Sequence, residues 1–469
     1  MAVPLTFVDR AEAAVRNAQL QRTLNAATSK YVGERVHALA KLGDSADALR
    51  DRAQEIRAAT LAHLDEHLAR LAANIEQNGG VVHWAQDAEE ARRIIVQIAR
   101  ERNVKLVTKS KSMVGEEIEI NHALEEEGIT PIETDLGEYI VQLAHERPSH
   151  IIAPVFHMTK EQVADLFTRE FGRKVEPDIR TMVNLARETL REKFLRAEMG
   201  FTGVNFAIAE TGTLAIVTNE GNGRMCSNAP RIHVALMGIE KVVPTWDEFA
   251  VLTGVLARSA TGQQTTVYTT MTTGPKRATD IDGPEELHVV ILDNGRSKLL
   301  AGELREALQC IRCGACLNIC PVYAHLGGHA YGWVYPGPIG SLLTPSYAGL
   351  SQYADLPHAS SLCGACRDVC PVRIDIPRML VSLRTQEVKQ DERGFIENAI
   401  FRFTGLVLKS PFLFSLASRL GRWTQLPFRR GGRLPSLPLM GRWTRSRDFP
   451  MIQAKTFHDR WNELSRDGG

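Results

Sequence analysis

No stretch of 18 consecutive apolar residues occurs in this 469-residue chain, so a helix spanning a bilayer unaided is not expected. The N-terminus, MAVPLTFVDRAEAAV, has no basic segment followed by an apolar core, and no signal peptide is read there. Excess charge of either sign is also missing. Lys and Arg number 56 against 55 Asp and Glu, a net charge of +1, which speaks against a nucleic-acid or acidic-substrate binder. H-E-x-x-H, G-x-G-x-x-G, the P-loop, a flavin signature and a nucleophile–base pair are not found. Cysteine is scarce over most of the chain: of eight residues, seven lie between Cys310 and Cys370. Clustered C-x2-C pairs point to metal binding in a reducing, cytoplasmic setting, not to dispersed disulfides.

What is present reads as a soluble globular protein long enough for about three domains. Residues 1–77 carry apolar positions at three- and four-residue spacing between charges, a helical segment ended by Asn78-Gly79-Gly80. Over 78–296, β-branched runs (VVHW, VKLVTK, HIIAPVF, VNFAIAE, TLAIVTNE, IHVALMG, KVVPTW, TTVYTT, HVVILDNG) alternate with helical stretches such as VGEEIEINHALEEEG. That alternation predicts an α/β domain with a largely parallel, doubly covered sheet, and a hairpin between Val204 and Val217. Residues 297–390 begin with one helix, SKLLAGELREAL, running into Cys310. They continue as a helical, loop-rich cysteine region in which GGHAYGWVYPGPIGSLLTP reads as a tight loop with little regular structure. Residues 391–469 form a basic tail: from Phe395 to Arg447 there are ten Lys or Arg and one acid, Glu397.

Cys310 to Pro321 reads CIRCGACLNICP, and Ser360 to Pro371 reads SSLCGACRDVCP. C-x2-C-x2-C-x3-C-P is the bacterial ferredoxin spacing, in which three cysteines hold one cubane and the fourth, ahead of proline, ligates the neighbouring cluster. One cluster is thus expected on Cys310, Cys313, Cys316 and Cys370, the other on Cys320, Cys363 and Cys366. Structural zinc also uses C-x2-C pairs, but it gives no reason for two C-P endings. The second cluster is [4Fe–4S] or, with three thiolates, [3Fe–4S]. Ser360 stands where the fourth cysteine would be, with Ser361, His358 and Asp355 nearby. Cys226, the spare thiol, reads as a buried structural residue. His329 and Tyr331 read as structural in preference to ligand or electron-path roles.

A second candidate is the polar loop within AETGTLAIVTNEGNGR, where Gly212, Asn219, Glu220, Gly221, Gly223 and Arg224 follow strand-like runs and Arg224 offers an anion contact. The alternative is a turn that positions Arg224 for an internal salt bridge. Lys109 and Lys111, after another strand, could add positive charge there, although solvated lysines are the commoner case.

CIRCGACLNICPVY, GGHAYG, YPGPIG, SSLCGAC, CPV and ETGTLAIVTNEGNGR, in this chain order, resemble the lactate utilisation protein B family over nearly the whole length. The resemblance implies an α/β domain similar to CoA-transferase and sugar-phosphate-isomerase folds. It also implies two [4Fe–4S] clusters on the same seven cysteines, and work with two companion proteins in oxidising L-lactate to pyruvate. Iron–sulfur clusters pass single electrons, whereas lactate gives up two, so a relay role is expected here. The competing readings are an α/β domain that itself binds substrate near Arg224, and a structural protein whose metal only holds the fold. The basic tail, with FLFSLASRLGRW, suits an acidic partner or an anionic membrane surface, and equally a helix packed on its own domain.

Overall fold

The computed structural model describes residues 6–390, 395–428, 433–434, 448–453 and 455–467. It falls into two compact units, Met1–Glu387 and Val388–Gly469. The first opens with helices Phe7–Arg16, Ala18–Ala40, Ser45–Ala62 and Leu64–Gln77, and the Asn78-Gly79-Gly80 break follows as expected. Thr6 starts the first helix with a reciprocal capping box to Asp9.

Ten strands follow: β1 (Val81–Ala85), β2 (Leu106–Lys109), β3 (Thr130–Glu133), β4 (Met199–Gly203), β5 (Phe206–Ile208), β6 (Thr213–Thr218), β7 (Ile232–Gly238), β8 (Val242–Val243), β9 (Tyr268–Thr272) and β10 (Glu286–Leu292). Six of them form an all-parallel sheet in the order β1-β10-β7-β4-β2-β3, in register through pairs such as Val289↔Ala235 and Phe201↔Val234. Every residue of β7 is buried, as a central parallel strand covered on both faces requires. The expected hairpin exists as β5–β6, but it belongs to a second sheet, β8-β5-β6-β9.

Several sequence expectations need correction. HIIAPVF is bends and turns, not a strand. The strands β3 and β4 carry weak signals: β3 is an edge strand containing Pro131, and β4 contains Gly200 and Gly203. A Cβ on Gly200 would lie 1.7 Å from the Cys226 carbonyl oxygen, so this strand needs glycine where helix Asn222–Asn228 crosses it. The stretch VGEEIEINHALEEEG is two helices, Met113–Glu117 and Ile120–Glu126, broken at Glu119 with φ 52°. The stretch SKLLAGELREAL is likewise split at Gly302 into Arg296–Leu300 and a 3-10 turn, Arg305–Gln309. The loop-like GGHAYGWVYPGPIGSLLTP ends in a buried helix, Gly337–Ala348. Pro338 suits its first turn, and a Cβ at Gly340 would collide with the Tyr335 carbonyl oxygen.

The N-terminal helices, the small sheet and the cysteine region share one apolar core, from Ala53 and Leu71 through Val242 to Tyr323 and Leu383. A second core lies against helix Ala88–Glu101, with Ile95, Val107 and Val290.

The second unit contains helices Phe395–Lys409 and Pro411–Gln425. The latter carries FLFSLASRLGRW and is capped by Ser410, whose Oγ accepts the Leu413 N–H. Among the described residues no single helix is long and apolar enough to cross a membrane. The segments Asn398–Lys409 and Pro411–Phe428 reach that length and composition only together, with a bend of 115°. Phe403, Leu406, Phe412 and Trp423 are exposed. Five arginines of the basic tail, at 429, 430, 442, 445 and 447, lie outside the described residues.

Candidate metal centre

Each cysteine motif folds the same way. Arg312 and Leu362, two residues into their respective motifs, adopt φ of 61° and 54°, and Gly314 and Gly364 follow at 74° and 87°. A five-residue helix comes next in each, Ala315–Ile319 and Ala365–Val369, and the two helices pack against each other. Left-handed residues at these positions turn the backbone so that amide N–H groups face sulfur. The Arg312 N–H donates to Cys310 Sγ at 3.4 Å. Ala315 donates to Cys313, Val322 and Tyr323 to Cys320, Arg367 to Cys366, and Val372 and Ile374 to Cys370.

The motifs interleave. Cys310, Cys313 and Cys316 line one small apolar cavity together with Cys370 from the second motif, closed by Ile151, Ile339 and Ile376. Cys320 of the first motif lies instead within the electrostatic reach of Cys363 and Cys366. Burial raises these thiols: Cys370 to about 11, Cys366 to about 12, and Cys313 and Cys316 further, with neighbouring sulfurs adding to the rise. Such sulfurs resist ionising until cations join them, so this donor set fits multi-iron clusters. Cys363 differs: it is exposed, and the Ser361 hydroxyl and Ala365 N–H hold it below the ordinary thiol range.

Ser360 reproduces the local geometry of Cys310. Its Oγ accepts the Leu362 N–H at 3.1 Å, the counterpart of the Arg312 N–H to Cys310 Sγ. Ser361 is engaged with Cys363, and His358 Nε2 lies 2.8 Å from Glu387. Tyr331 is fully buried within the field of Cys320 and Cys316. His329 lies 2.6 Å from the Arg147 carbonyl and packs on His157. Cys226 is buried in the α/β region beside Thr134 Oγ1 at 3.4 Å, its thiol pushed up by burial to about 12.

Arginines absent from the sequence reading surround the first thiol group. Arg35 donates to the Val369 carbonyl, and Arg50 to those of Asp368 and Cys370. Arg57, fully buried, donates to the carbonyls of Glu240, Val242, Leu308 and Gln309 at 2.5–3.3 Å. Burial lowers Arg57 to about 10, against the favourable fields of Glu240 and Cys310. Arg312, inside the first motif, stacks over the Tyr335 ring at 4.8 Å and pairs with Glu240 at 3.5 Å. Only Arg312 had a sequence signal, its position between two ligand cysteines. Nearby, Arg296 bridges Glu117 and Glu240 at 2.8 Å with every side chain buried. Burial alone would raise Glu240, but Arg296, Lys241 and Arg312 outweigh it and hold the carboxyl at about 2. Its folded value is depressed, so the stability it contributes is complete above the ordinary value of 4.5 and is lost as pH falls toward 2. Glu240→Gln is expected to remove on the order of 3 kcal/mol of that acid-dependent stability. An acid titration followed by circular dichroism reads the difference, and parallel acid limbs for variant and parent would contradict it.

The polar loop does not form a single site. Gly212 sits at the opposite end of β6, where a Cβ would meet the Asn74–Ile75 backbone at 2.7 Å. It is a close-packing turn glycine with φ 70°. Asn219, Glu220 and Asn222 line an inner cavity, whereas Gly221 and Arg224 line an outer surface depression with Arg231 and Lys276. Arg224 makes no ion pair among the described residues, so the internal salt bridge is not formed; helix Asn222–Asn228 carries Arg224 outward. Gly223 packs against Ile216 and Thr218. Lys109, expected in solvent, is fully buried between Glu116 and Glu133, each 2.5 Å away. Burial opposes its charge, but the two carboxylates raise its pKa above the ordinary value. Lys111 does line the inner cavity, with its ammonium 3.5 Å from Glu138.

Residues 68–292 match the LUD domain family, 306–374 the 4Fe-4S dicluster domain, and 382–465 the family described as Lactate utilisation protein B, C-terminal. The chain is 43% identical over 466 residues to Lactate utilization protein B of Bacillus licheniformis, covering 99% of this chain and 98% of that protein. It is 44% identical to the protein of the same name from Exiguobacterium sp., covering 97% and 96%. A crystal structure of a DUF162 family protein from Deinococcus radiodurans aligns at 16% identity with a TM-score of 0.28, covering 49% of this chain and 98% of that one.

Proposed function

Because the chain belongs to the lactate utilisation protein B family, an iron–sulfur family named for lactate use, we propose that it relays single electrons during oxidation of L-lactate to pyruvate. The observation that carries this reading is the interleaving of the two cysteine motifs into adjacent thiol groups through packed helices. Cys310, Cys313, Cys316 and Cys370 hold one [4Fe–4S] cluster. Cys320, Cys363 and Cys366 would hold the other, and Ser360 stands at the motif position of its missing fourth cysteine. The clusters supply one-electron redox capacity when bound; the protein supplies N–H donors to sulfur, arginines against the negative charge, and exclusion of water from the first group. Cys363 is the exposed end and marks the face toward a redox partner. Two companion lactate-utilisation proteins take the roles of hydride acceptor and further carrier. The tail, basic and with exposed apolar side chains, rests on an anionic membrane surface from the cytoplasmic side.

The test is anaerobic addition of L-lactate to the oxidised, cluster-loaded chain, alone and with its companions. Bleaching of the visible absorption is expected only with the companions present. Prompt bleaching of the isolated chain would overturn the relay, and a colourless, zinc-loaded, folded protein would overturn the cluster assignment.

A further inference from the structure

Beside the first thiol group lies an inner cavity of about 310 Å³, at the lower end of the range for small-ligand sites. It opens past the carboxyl ends of β2 and β4, which are paired in parallel; Lys111 follows the first strand and Asn205 the second. Ligands of open α/β sheets bind at this edge. Its polar lining is dominated by donors. The buried Lys111 ammonium makes no hydrogen bond, and neither do the NH1 and NH2 groups of the buried Arg312 guanidinium. Lys241 makes no hydrogen bond among the described residues, and burial lowers its pKa to about 8. Asn205 and Asn219 spend their side-chain oxygens on the Val217 and Val267 N–H groups, which leaves their amide NH2 groups to donate. Against these stand Asp135 and Glu220, the latter raised to about 7 by burial and by Asp135.

Glu138 and Glu240, each 3.5 Å away, offset the charges of Lys111 and Arg312, but the buried N–H groups still lack hydrogen-bond acceptors, and such donors are costly. We infer that the cavity binds a small carboxylate carrying a neighbouring hydroxyl or oxo oxygen. Lys111, Lys241 and Arg312 face its charge, and Asn205 and Asn219 face its second oxygen. Ile151 and Arg312 line both this cavity and the four-cysteine cavity, so an anion bound here sits across one layer of side chains from the first cluster. Added negative charge at that place disfavours reduction, so binding lowers that cluster's potential. The binding assignment stands on the cavity alone; the coupling rests on the relay reading.

The experiment uses the full-length, cluster-loaded chain under anaerobic conditions, with sodium pyruvate and L-lactate as probes and inorganic phosphate as the competing anion. Calorimetry is expected to show saturable binding of a carboxylate at one site per chain. Lys241→Gln, and separately Ala260→Leu, which fills the apolar end without changing charge, are each expected to weaken binding at least tenfold (on the order of 1.4 kcal/mol). Arg224→Gln, on the outer surface, leaves it unchanged. Visible absorption of each variant confirms cluster loading. A redox titration with pyruvate present is expected to lower the midpoint of the first cluster. Absence of saturable carboxylate binding, binding of phosphate alone, or affinity unchanged in both cavity variants would overturn the site, and an unmoved midpoint would overturn the coupling. Redox-active clusters without carboxylate binding count against this site only, and carboxylate binding without redox-active clusters counts against the relay only.

Discussion

Cys370→Ser is expected to abolish the EPR signal of the cluster held by Cys310, Cys313 and Cys316, and to spare the one on Cys363 and Cys366. About half of the bound iron is lost, as befits one of two cubanes. The expectation runs against chain order, since Cys370 follows Cys363 and Cys366 in its own motif. It follows from the cavity that Cys370 lines with the three cysteines of the first motif, and from the Val372 and Ile374 N–H groups that fix its sulfur there. The reciprocal variant, Cys363→Ser, is expected to damage the other cluster alone. Its effect is milder, because Cys363 is exposed and water can replace a lost ligand. Iron analysis and EPR of both variants decide the matter. Loss of the Cys363/Cys366 signal alone in Cys370→Ser would show that each motif feeds its own cluster.

Arg57→Met carries the second large effect. The substitution keeps volume and removes the donors to four backbone carbonyls, all of them in buried residues. An unsatisfied buried acceptor costs about 1–3 kcal/mol, so a loss of at least roughly 4 kcal/mol is expected. That is a large share of the ~5–15 kcal/mol that holds a typical domain. Two of the carbonyls, of Leu308 and Gln309, immediately precede Cys310, so the first cluster is lost with the fold. Arg57→Lys does not rescue, since one ammonium cannot span four acceptors on two segments. Anaerobic thermal melting read at the cluster absorbance and by circular dichroism is the measurement, and a melting point within a degree or two of the parent's would sink the expectation.

The cysteine site was legible in sequence because its logic is local. Spacing within a dozen residues groups Cys310, Cys313 and Cys316, and proline marks the chain's departure, whereas the packing of the two short helices brings Cys370 to them. Gly314 and Gly364 mark the turns for the same reason. The arginines escaped notice because their partners are backbone carbonyls 183 to 334 residues away, and any residue type supplies a carbonyl. Lys109 misled for a related reason: its burial depends on Glu133, carried by a neighbouring strand. The parallel sheet showed through its β-branched runs, yet β4 hid behind glycines whose purpose is the approach of another segment. Gly212 and Arg224 read as one candidate site although the strand-like run TLAIVTNE lies between them. In space β6 separates them.

Helix Ser45–Ala62 holds Arg50 and Arg57, and Arg50 reaches a carbonyl 320 residues further along. At about 5–20 residues per second of synthesis, this helix emerges from the ribosome some ~16–64 s before Cys370 exists. For nearly all of that interval Arg50 has no carbonyl to grip, and the first cluster lacks its fourth thiolate. Closure of that site therefore belongs late in synthesis, and a truncated chain ending before the second motif would lack the fourth thiolate.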